Sequence, residues 1–197
     1  MAEQSQPVLL VLSGPSGVGK TTLAHRLLEV NSNLQRMVTC TTRAPREGEV
    51  AGQDYHFVTE DDFFTQIRAG GFLEHAEVYG NRYGTLKSSV QEALAAGRDV
   101  LIVNDVQGAL TLSAMARQDN ALGKALQTLL IVVPDVSELR ARLEERAADE
   151  ANTIEDRLAI AEAEMQQQGR FDHVIVSSTR EADFERAQTI YQNAKAA

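Results

Sequence analysis

Short apolar runs separated by amphipathic stretches dominate the hydrophobic pattern of this 197-residue chain. Four runs are rich in β-branched residues and apolar at successive positions, which is typical of parallel strands covered by helices on both faces. These predicted strands lie at residues 8–13, 100–104, 128–133 and 174–177. Helical periodicity follows or separates them, at residues 21–30, 88–96, 136–146, 154–167 and 181–194. The alternation predicts a doubly wound α/β fold.

One segment, from residue 37 to about residue 84, breaks this alternation. It contains one helical stretch, at residues 60–69, and several glycine and proline turn signals. Three short strand-like runs accompany that helix, at residues 39–42, 55–58 and 72–78. The pattern predicts a small, mostly antiparallel insertion between the first and second core strands.

The composition narrows the class of protein. With 43% apolar and 24% charged residues, the chain resembles an ordinary globular protein with one core and room for small appendages. The net charge of −9 disfavours nucleic acid or an anionic membrane as the main partner, so neither is expected. Fifteen of the 19 basic residues are arginines. Two alternative explanations of that excess are recognition of phosphate by arginine and a GC-rich coding bias.

Cysteine content and the N-terminal sequence indicate the compartment. A single cysteine, Cys40, excludes an intrachain disulfide and a cysteine metal cluster. The first residues lack the basic and apolar regions of a signal peptide. Apolar runs reach only about five to seven residues, against the ~20 that span a bilayer. We therefore expect a cytoplasmic protein without a membrane partner, while its oligomeric state is not indicated.

The strongest chemical motif is a phosphate loop, residues 14–21, which fits the pattern G-x-x-x-x-G-K-[ST] between the first predicted strand and helix. Backbone N–H groups of such a loop surround phosphate oxygens, Lys20 reaches the terminal phosphates, and the Thr21 hydroxyl can ligate Mg²⁺. The predicted triphosphate-binding residues are Gly14, Pro15, Ser16, Gly17, Val18, Gly19, Lys20, Thr21 and Thr22. The loop predicts a bound nucleoside triphosphate but leaves the acceptor open, since GTPases, ATPases and small-molecule kinases share it.

Several further motifs, in order along the chain, resemble the guanylate kinase family. They are TTRAPREGE at 41–49, GQDYHF at 52–57, FLEHA at 72–76, GNRYGT at 80–85, DVQGA at 105–109 and RLEER at 142–146. Together with the phosphate loop they cover the chain from residue 8 to about residue 190. Several motifs in one order are more specific than the phosphate loop alone.

The resemblance implies the fold and the reaction. The fold is α/β, a P-loop NTPase-type doubly wound parallel sheet with a small mixed α/β GMP-binding insertion and a helical lid. The implied boundaries are 1–37, 98–137 and 160–197 for the core, 38–97 for the insertion and 138–159 for the lid. The implied reaction transfers the γ-phosphoryl group of ATP to GMP, with dGMP as a further candidate acceptor. Mg²⁺ is the implied cofactor, bound with ATP.

Four residues match the family positions that hold the GMP phosphate: Arg43, Arg46, Tyr55 and Tyr83. Two guanidinium groups and two hydroxyl donors suit a phosphate dianion. Each of these side chains, taken alone, has an ordinary surface or core role as its alternative. Their common order and spacing favour the binding role.

Glu74 matches the carboxylate that recognises guanine. One ionised carboxylate accepts both the N1–H and the N2–H₂ of guanine, whereas adenine presents an acceptor at N1. Thr39 and Thr85 match hydroxyl positions of the same base pocket. Asp105 follows the second core strand and is predicted to bind GMP, although the position also suits a group facing Mg²⁺.

Residues 140–157 are densely charged, and the pattern alone fits either a solvated surface helix or a mobile lid. The resemblance favours the lid. Arg142 and Arg146 lie one helical turn apart and, with Arg157, match arginines that cover the transferring phosphoryl group. With Lys20 they are the predicted catalytic residues. Pairing with neighbouring glutamates is the alternative role of the arginines.

Three positions depart from the family pattern. Val103 replaces an acidic residue, the pair at 177–178 is Ser-Ser instead of Asn-Asp, and Ala147 replaces a glycine. Two other functions remain as alternatives. One is a non-catalytic guanylate-kinase-like module that binds phosphopeptides, against which the complete phosphate loop argues. The other is a kinase for a phosphorylated sugar, against which Glu74 argues.

Overall fold

The computed structural model describes residues 6–78, 80–144 and 153–196. Its core sheet contains five strands, β1 (Leu9–Ser13), β2 (Leu34–Arg36), β7 (Asp99–Val103), β8 (Leu126–Val132) and β9 (His173–Val176). All neighbours in this sheet pair in parallel, in the order β2-β7-β1-β8-β9. Because β1 is central and the chain adds strands on both sides of it, the predicted doubly wound parallel sheet is confirmed.

Helices cover both faces of the core sheet. They are α1 (Lys20–Val30), α3 (Lys87–Ala95), α4 (Val106–Ala116), α5 (Asn120–Ala125), α6 (Arg140–Glu144), α7 (Ile154–Met165) and α8 (Arg180–Ala196). The side chains of β1 alternate between two apolar clusters. Leu10 and Leu12 pack with residues of α1 and α8, whereas Leu9 and Val11 pack with residues of α3 and α4. This two-sided burial explains the unbroken apolar sequence of β1.

A second sheet has the strand order β4-β3-β6-β5. Its strands are β3 (Thr39–Thr41), β4 (Tyr55–Phe57), β5 (Phe72–Val78) and β6 (Asn81–Leu86), and helix α2 (Glu60–Arg68) packs on it. The rings of Phe63 and Phe72 lie 4.5 Å apart between α2 and β5. Pairing of β3 with β4 is parallel, and the other two pairings are antiparallel. This sheet matches the mostly antiparallel insertion expected from the sequence.

Other features of the fold differ from the sequence prediction. Strands β2 and β6 and helices α4 and α5 were not predicted. The helix expected at 136–146 starts with a 3₁₀ turn, Val136–Leu139, before α6. Strand β9 lies at the edge of the sheet and leaves Val174 and Val176 exposed, so the prediction that this strand is buried on both faces is wrong. No described helix is long and apolar enough to cross a bilayer.

The last helix is tied to the core sheet through Asp99, at the start of β7. This fully buried carboxylate accepts hydrogen bonds from Tyr191 Oη at 2.6 Å and Lys195 Nζ at 3.0 Å, both on α8. The Val8 N–H and Asn33 Nδ2 donate to it at 2.8 and 2.9 Å. Burial favours the neutral carboxyl, but these four bonds outweigh it and hold the pKa of Asp99 below its usual range.

Candidate active site

The phosphate loop joins β1 to α1. Gly19 is the N-cap of α1 and has no side chain with which to cap it, so the first N–H groups of the helix are left for a bound phosphate. The Lys20 Nζ donates to the carbonyls of Gly14 and Pro15 at 2.6 and 3.0 Å, within the loop itself. Thr21 and Thr22 are exposed in the first turn of α1. The structure therefore brings the predicted phosphate-binding groups together at one helix N-terminus.

A cleft of about 320 Å³ extends from the phosphate loop to the beginning of α8. Arg26, which lines it, is stacked on Phe184 at 4.2 Å and paired with Glu181 at 2.9 Å. At the departing Ser-Ser pair, Ser177 Oγ donates to Asp183 Oδ2 at 2.6 Å, and the Ser178 N–H donates to Oδ1 at 3.0 Å. Helix α8 therefore supplies a carboxylate to the wall of this cleft through Asp183.

The structure places two of the three predicted lid arginines. Arg142 lies against the phosphate loop, where its Nη1 donates to the Gly17 carbonyl at 3.1 Å. Arg157, on α7, is 2% exposed, and its Nη1 donates to the Leu143 carbonyl at 3.4 Å. Arg146 lies outside the described residues. The contact of Arg142 puts a guanidinium group beside the loop that is expected to hold the triphosphate.

The predicted phosphate-binding residues of the second sheet form one cluster. The Arg43 guanidinium lies over the Tyr55 ring at 5.4 Å and close to the Tyr83 side chain, and the two tyrosine rings are 6.0 Å apart. Arg43 Nη2 also donates to both carboxylate oxygens of Glu49, at 2.8 and 3.0 Å. The backbone N–H of Arg46 donates to Glu49 Oε2 at 2.7 Å. Glu49 thus holds the predicted phosphate-binding loop together.

Electrostatics in this cluster suit the binding of an anion. Burial raises the pKa of Glu49, but its bonds to Arg43 and to the Arg46 N–H outweigh burial and hold the pKa below the usual range. Burial is also the main cause that raises the pKa of Tyr55, which keeps the hydroxyl protonated as a donor. A bound phosphate would therefore meet cationic and neutral donors, with Glu49 as the carboxylate already paired to Arg43.

The predicted base pocket is built around Glu74, on β5, which is almost fully buried. Thr85 Oγ1 donates to Glu74 Oε1 at 2.7 Å from the neighbouring strand β6. Asn104 Nδ2 donates to the same oxygen at 2.9 Å from the end of β7. Thr39 is buried on β3, and Asp105 caps α4 by accepting the Gly108 N–H at 2.9 Å. The pocket lies where the two sheets meet.

Burial raises the pKa of Glu74 to about 7. Hydrogen bonds from Thr85 and Asn104 act in the opposite direction, and the negative charge of Asp105 adds to the increase. A carboxyl group with this pKa changes its charge near neutral pH. Its ionisation is therefore sensitive to a ligand that brings hydrogen-bond donors to it.

Residues of the predicted base and phosphate subsites lie side by side on β6. Tyr83 and Thr85 are two residues apart on this strand, so their side chains emerge on the same face, roughly 7 Å apart along the strand. Gly84 between them faces the other way, against Phe72 and Phe63. One face of the second sheet thus presents hydroxyl groups at both predicted subsites.

The structure adds two residues that sequence reasoning missed. For Asn104, the available signal was its polar character at the end of a buried strand. Glu164, on α7, lies near Lys20, Asp105 and the beginning of α4. Burial raises the pKa of Glu164 to about 7, and Lys20 opposes this increase. Nothing in the local sequence of α7 distinguishes Glu164 from its acidic neighbours.

Comparisons with known proteins agree with this geometry. The model of the family described as guanylate kinase matches residues 6–194. A guanylate kinase of Ruegeria sp. (strain TM1040) is 43% identical over 95% of this chain and 84% of its own length. One from Anaeromyxobacter dehalogenans is 44% identical over 97% of this chain and 82% of its own length.

A solved structure shows the same similarity in three dimensions. The crystal structure of guanylate kinase from Anaplasma phagocytophilum has a TM-score of 0.80 and 34% identity. The match covers 98% of this chain and 88% of that one. Sequence and structure therefore agree over nearly the whole length, and the chain belongs to the guanylate kinase family.

Proposed function

We propose that this chain transfers the γ-phosphoryl group of ATP to GMP, with ATP on the phosphate loop and GMP on the second sheet. The observation that carries the proposal is the buried Glu74, held by Thr85 and Asn104 beside the cluster of Arg43, Tyr55 and Tyr83. An ionised carboxylate in this position accepts the two adjacent donors of guanine. The neighbouring cluster would hold the phosphate of the same nucleotide, because Tyr83 of that cluster lies two residues from Thr85 of the base site on β6.

The proposed role of the chain in the transfer step is positioning and neutralisation of charge. The GMP phosphate has a second pKa of about 6, so it is already an anion near pH 7 and needs no general base. Lys20 and Arg142 both lie against the phosphate loop and supply positive charge there. Arg146 and Arg157 remain predicted members of the same set.

Mg²⁺ is the proposed cofactor, bound together with ATP. The donor set fits this ion, because the Thr21 hydroxyl is exposed in the first turn of α1, beside Lys20. Mg²⁺ prefers hydroxyl, phosphate and water oxygens. When bound, the ion neutralises charge on the β- and γ-phosphate oxygens. The proposed small-molecule partners are accordingly ATP and GMP, and the proposed location is the cytoplasm.

A coupled assay of ADP release with ATP, Mg²⁺ and each of GMP, dGMP, AMP, CMP and UMP tests the proposal. We expect turnover with GMP and little with AMP, CMP or UMP, because their bases do not present two adjacent donors to Glu74. Turnover of AMP equal to that of GMP would contradict the assignment of Glu74. A chain that binds a phosphopeptide but not ATP would instead support the non-catalytic module.

A further inference from the structure

Asn104 lies where the two sheets meet, at the carboxyl end of β7, and its side chain contacts the second sheet. It is 7% exposed, and its Nδ2 donates to Glu74 Oε1 at 2.9 Å. Thr85 Oγ1 donates to the same oxygen. The two bonds converge on Oε1, whereas Oε2 faces Gly108, where an added Cβ would lie 3.1 Å from it. The carboxylate is thus restrained at one oxygen by a donor on β6 and a donor that follows β7.

We propose that Asn104 is a positioning residue for guanine recognition, which holds Glu74 in its ionised form and in the orientation that faces the N1–H and N2–H₂ of the base. The inference deepens the proposed function and rests on it. An amide nitrogen donates and has no charge of its own, so it stabilises the carboxylate without competing for the bound base.

The surroundings of Glu74 make this bond decisive. Burial and Asp105, at the beginning of α4, both favour the neutral carboxyl group. The groups that oppose them are the side chain and backbone N–H of Thr85 on β6 and the side chain of Asn104 after β7. With a pKa of about 7, Glu74 is balanced between its two forms at neutral pH. Loss of one donor therefore shifts the balance toward the neutral form, which cannot accept both guanine donors.

The experiment compares Asn104→Leu and Asn104→Ser with the wild type. Neither replacement can donate to Glu74, since leucine is apolar and serine is too short. The matched control is Asn31→Ser. Asn31 is 8% exposed and its Nδ2 donates to Leu27 and Gln188, away from the base pocket. All four proteins are studied at full length.

The first measurement is the titration of the Glu74 carboxyl carbon by NMR in the nucleotide-free protein, assigned by the signal missing from Glu74→Gln. We expect the midpoint to rise by about one pH unit in both Asn104 variants and to stay unchanged in Asn31→Ser. An unchanged midpoint in Asn104→Leu would overturn the proposal. If that variant does not fold, Asn104→Ser decides in the same way.

The second measurement is the pH dependence of kcat/KM for GMP. We expect about a tenfold loss at pH 7, recovered in part at higher pH, with the KM for ATP unchanged. An equal loss at all pH values, or the same loss in Asn31→Ser, would reduce Asn104 to a structural role and overturn the proposal. A wild-type protein inactive on GMP would refute the proposed function, whereas the NMR midpoint still tests the contact itself.

Discussion

Glu49 illustrates how one side chain prepares a site for its ligand. Its carboxylate accepts two bonds from Arg43 and one from the Arg46 N–H, so the arginine fork is ordered before any phosphate arrives. Ordering a long side chain in advance reduces the entropy lost on binding. Tyr55 and Tyr83 surround the same guanidinium with neutral donors. The residue is acidic, yet its effect is to organise a binding site for an anion.

Glu74→Gln tests the recognition of guanine at a single side chain. We expect the KM for GMP to rise by roughly 10- to 100-fold, because the glutamine amide can accept only one of the two guanine donors. The KM for ATP should not change, since the phosphate loop lies elsewhere. Steady-state kinetics with each substrate varied in turn provides the measurement.

The control for this prediction is Glu77→Gln, the same replacement on the same strand. Glu77 is exposed and pairs with Arg82 at 3.0 Å, outside the base pocket. Its KM for GMP should remain within about twofold of the wild type, since exposed ion pairs contribute little. A similar KM for GMP in both variants would remove Glu74 from base recognition.

The raised pKa of Glu74 predicts a pH dependence of GMP binding. The ionised form binds guanine, so affinity should be full above pH 7 and should decrease as the pH falls through about 7. The GMP phosphate, with a second pKa of about 6, contributes a separate decrease at lower pH. Calorimetric titration of GMP between pH 5.5 and 8.5 measures the two steps, and Glu74→Gln should lose the upper one. A constant affinity from pH 8 to 6.5 would contradict this prediction.

At the scale of elements, the joint between β1 and α1 depends on Gly14. Its φ of +148° is unfavourable for other residues, and an added Cβ would lie 2.3 Å from the Ile131 carbonyl oxygen on β8. A larger residue must therefore displace the loop or the neighbouring strand. The position of the loop is thus set by backbone contact with the core sheet.

Gly14→Ala should weaken ATP binding at least tenfold and destabilise the fold by about 2 kcal/mol or more, because the clash is with backbone. Fluorescent-nucleotide titration and urea unfolding measure the two effects. Gly169→Ala is the control, since no heavy atom lies within 4 Å of its added Cβ. Equal ATP affinity in the two variants would show that the loop tolerates the displacement.

Local sequence patterns predicted the helices and strands whose burial is uniform along their length. Strand β1 is buried on both faces, and its sequence is accordingly apolar throughout. Helix α4 was missed because its exposed side carries apolar residues such as Ala114 and Met115, so the sequence shows no clear polar stripe. Strand β6 was missed because its first three residues are polar and partly exposed, and because Gly84, which has a low β propensity, follows them. The edge position of β9 depends on strand order, which no local pattern encodes.

Most of the candidate site residues that were predicted belong to short sequence motifs. The phosphate loop and the Arg43 and Tyr83 motifs were found in this way, and the structure brings each group together. Asn104 and Glu164 were not found, since their contacts join distant segments of the chain: Asn104 with Glu74, and Glu164 with the beginning of α4. Such pairs are defined by tertiary packing and have no short-range sequence signal.

At the scale of the whole molecule, Asp99 joins the C-terminal helix, the core sheet and the segment before β2. Asp99→Ala should lower the free energy of unfolding by about 3 kcal/mol, since it leaves buried donors without their acceptor. Tyr191→Phe removes one bond and should cost about 1 kcal/mol. Asp119→Ala, the control, removes an exposed cap of α5 and should also cost about 1 kcal/mol.

The pH dependence of this loss follows from the depressed pKa of Asp99. Its contribution is complete above the unfolded-state value of about 3.9 and disappears as the pH falls through the lower native value. The difference between wild type and Asp99→Ala should therefore be constant from pH 5 to 8 and shrink below about pH 4. Urea unfolding at several pH values measures it, and a difference that grows on acidification would contradict the assignment.

The contact between Asn104 and Glu74 has a consequence for inhibition. Because it joins the core sheet to the second sheet, a compound that binds this carboxylate would lie beside the junction of the two sheets. A small ring with two adjacent N–H donors and no phosphate would donate both hydrogen bonds to the Glu74 carboxylate. Such a compound would compete with GMP for the carboxylate without occupying the phosphate loop.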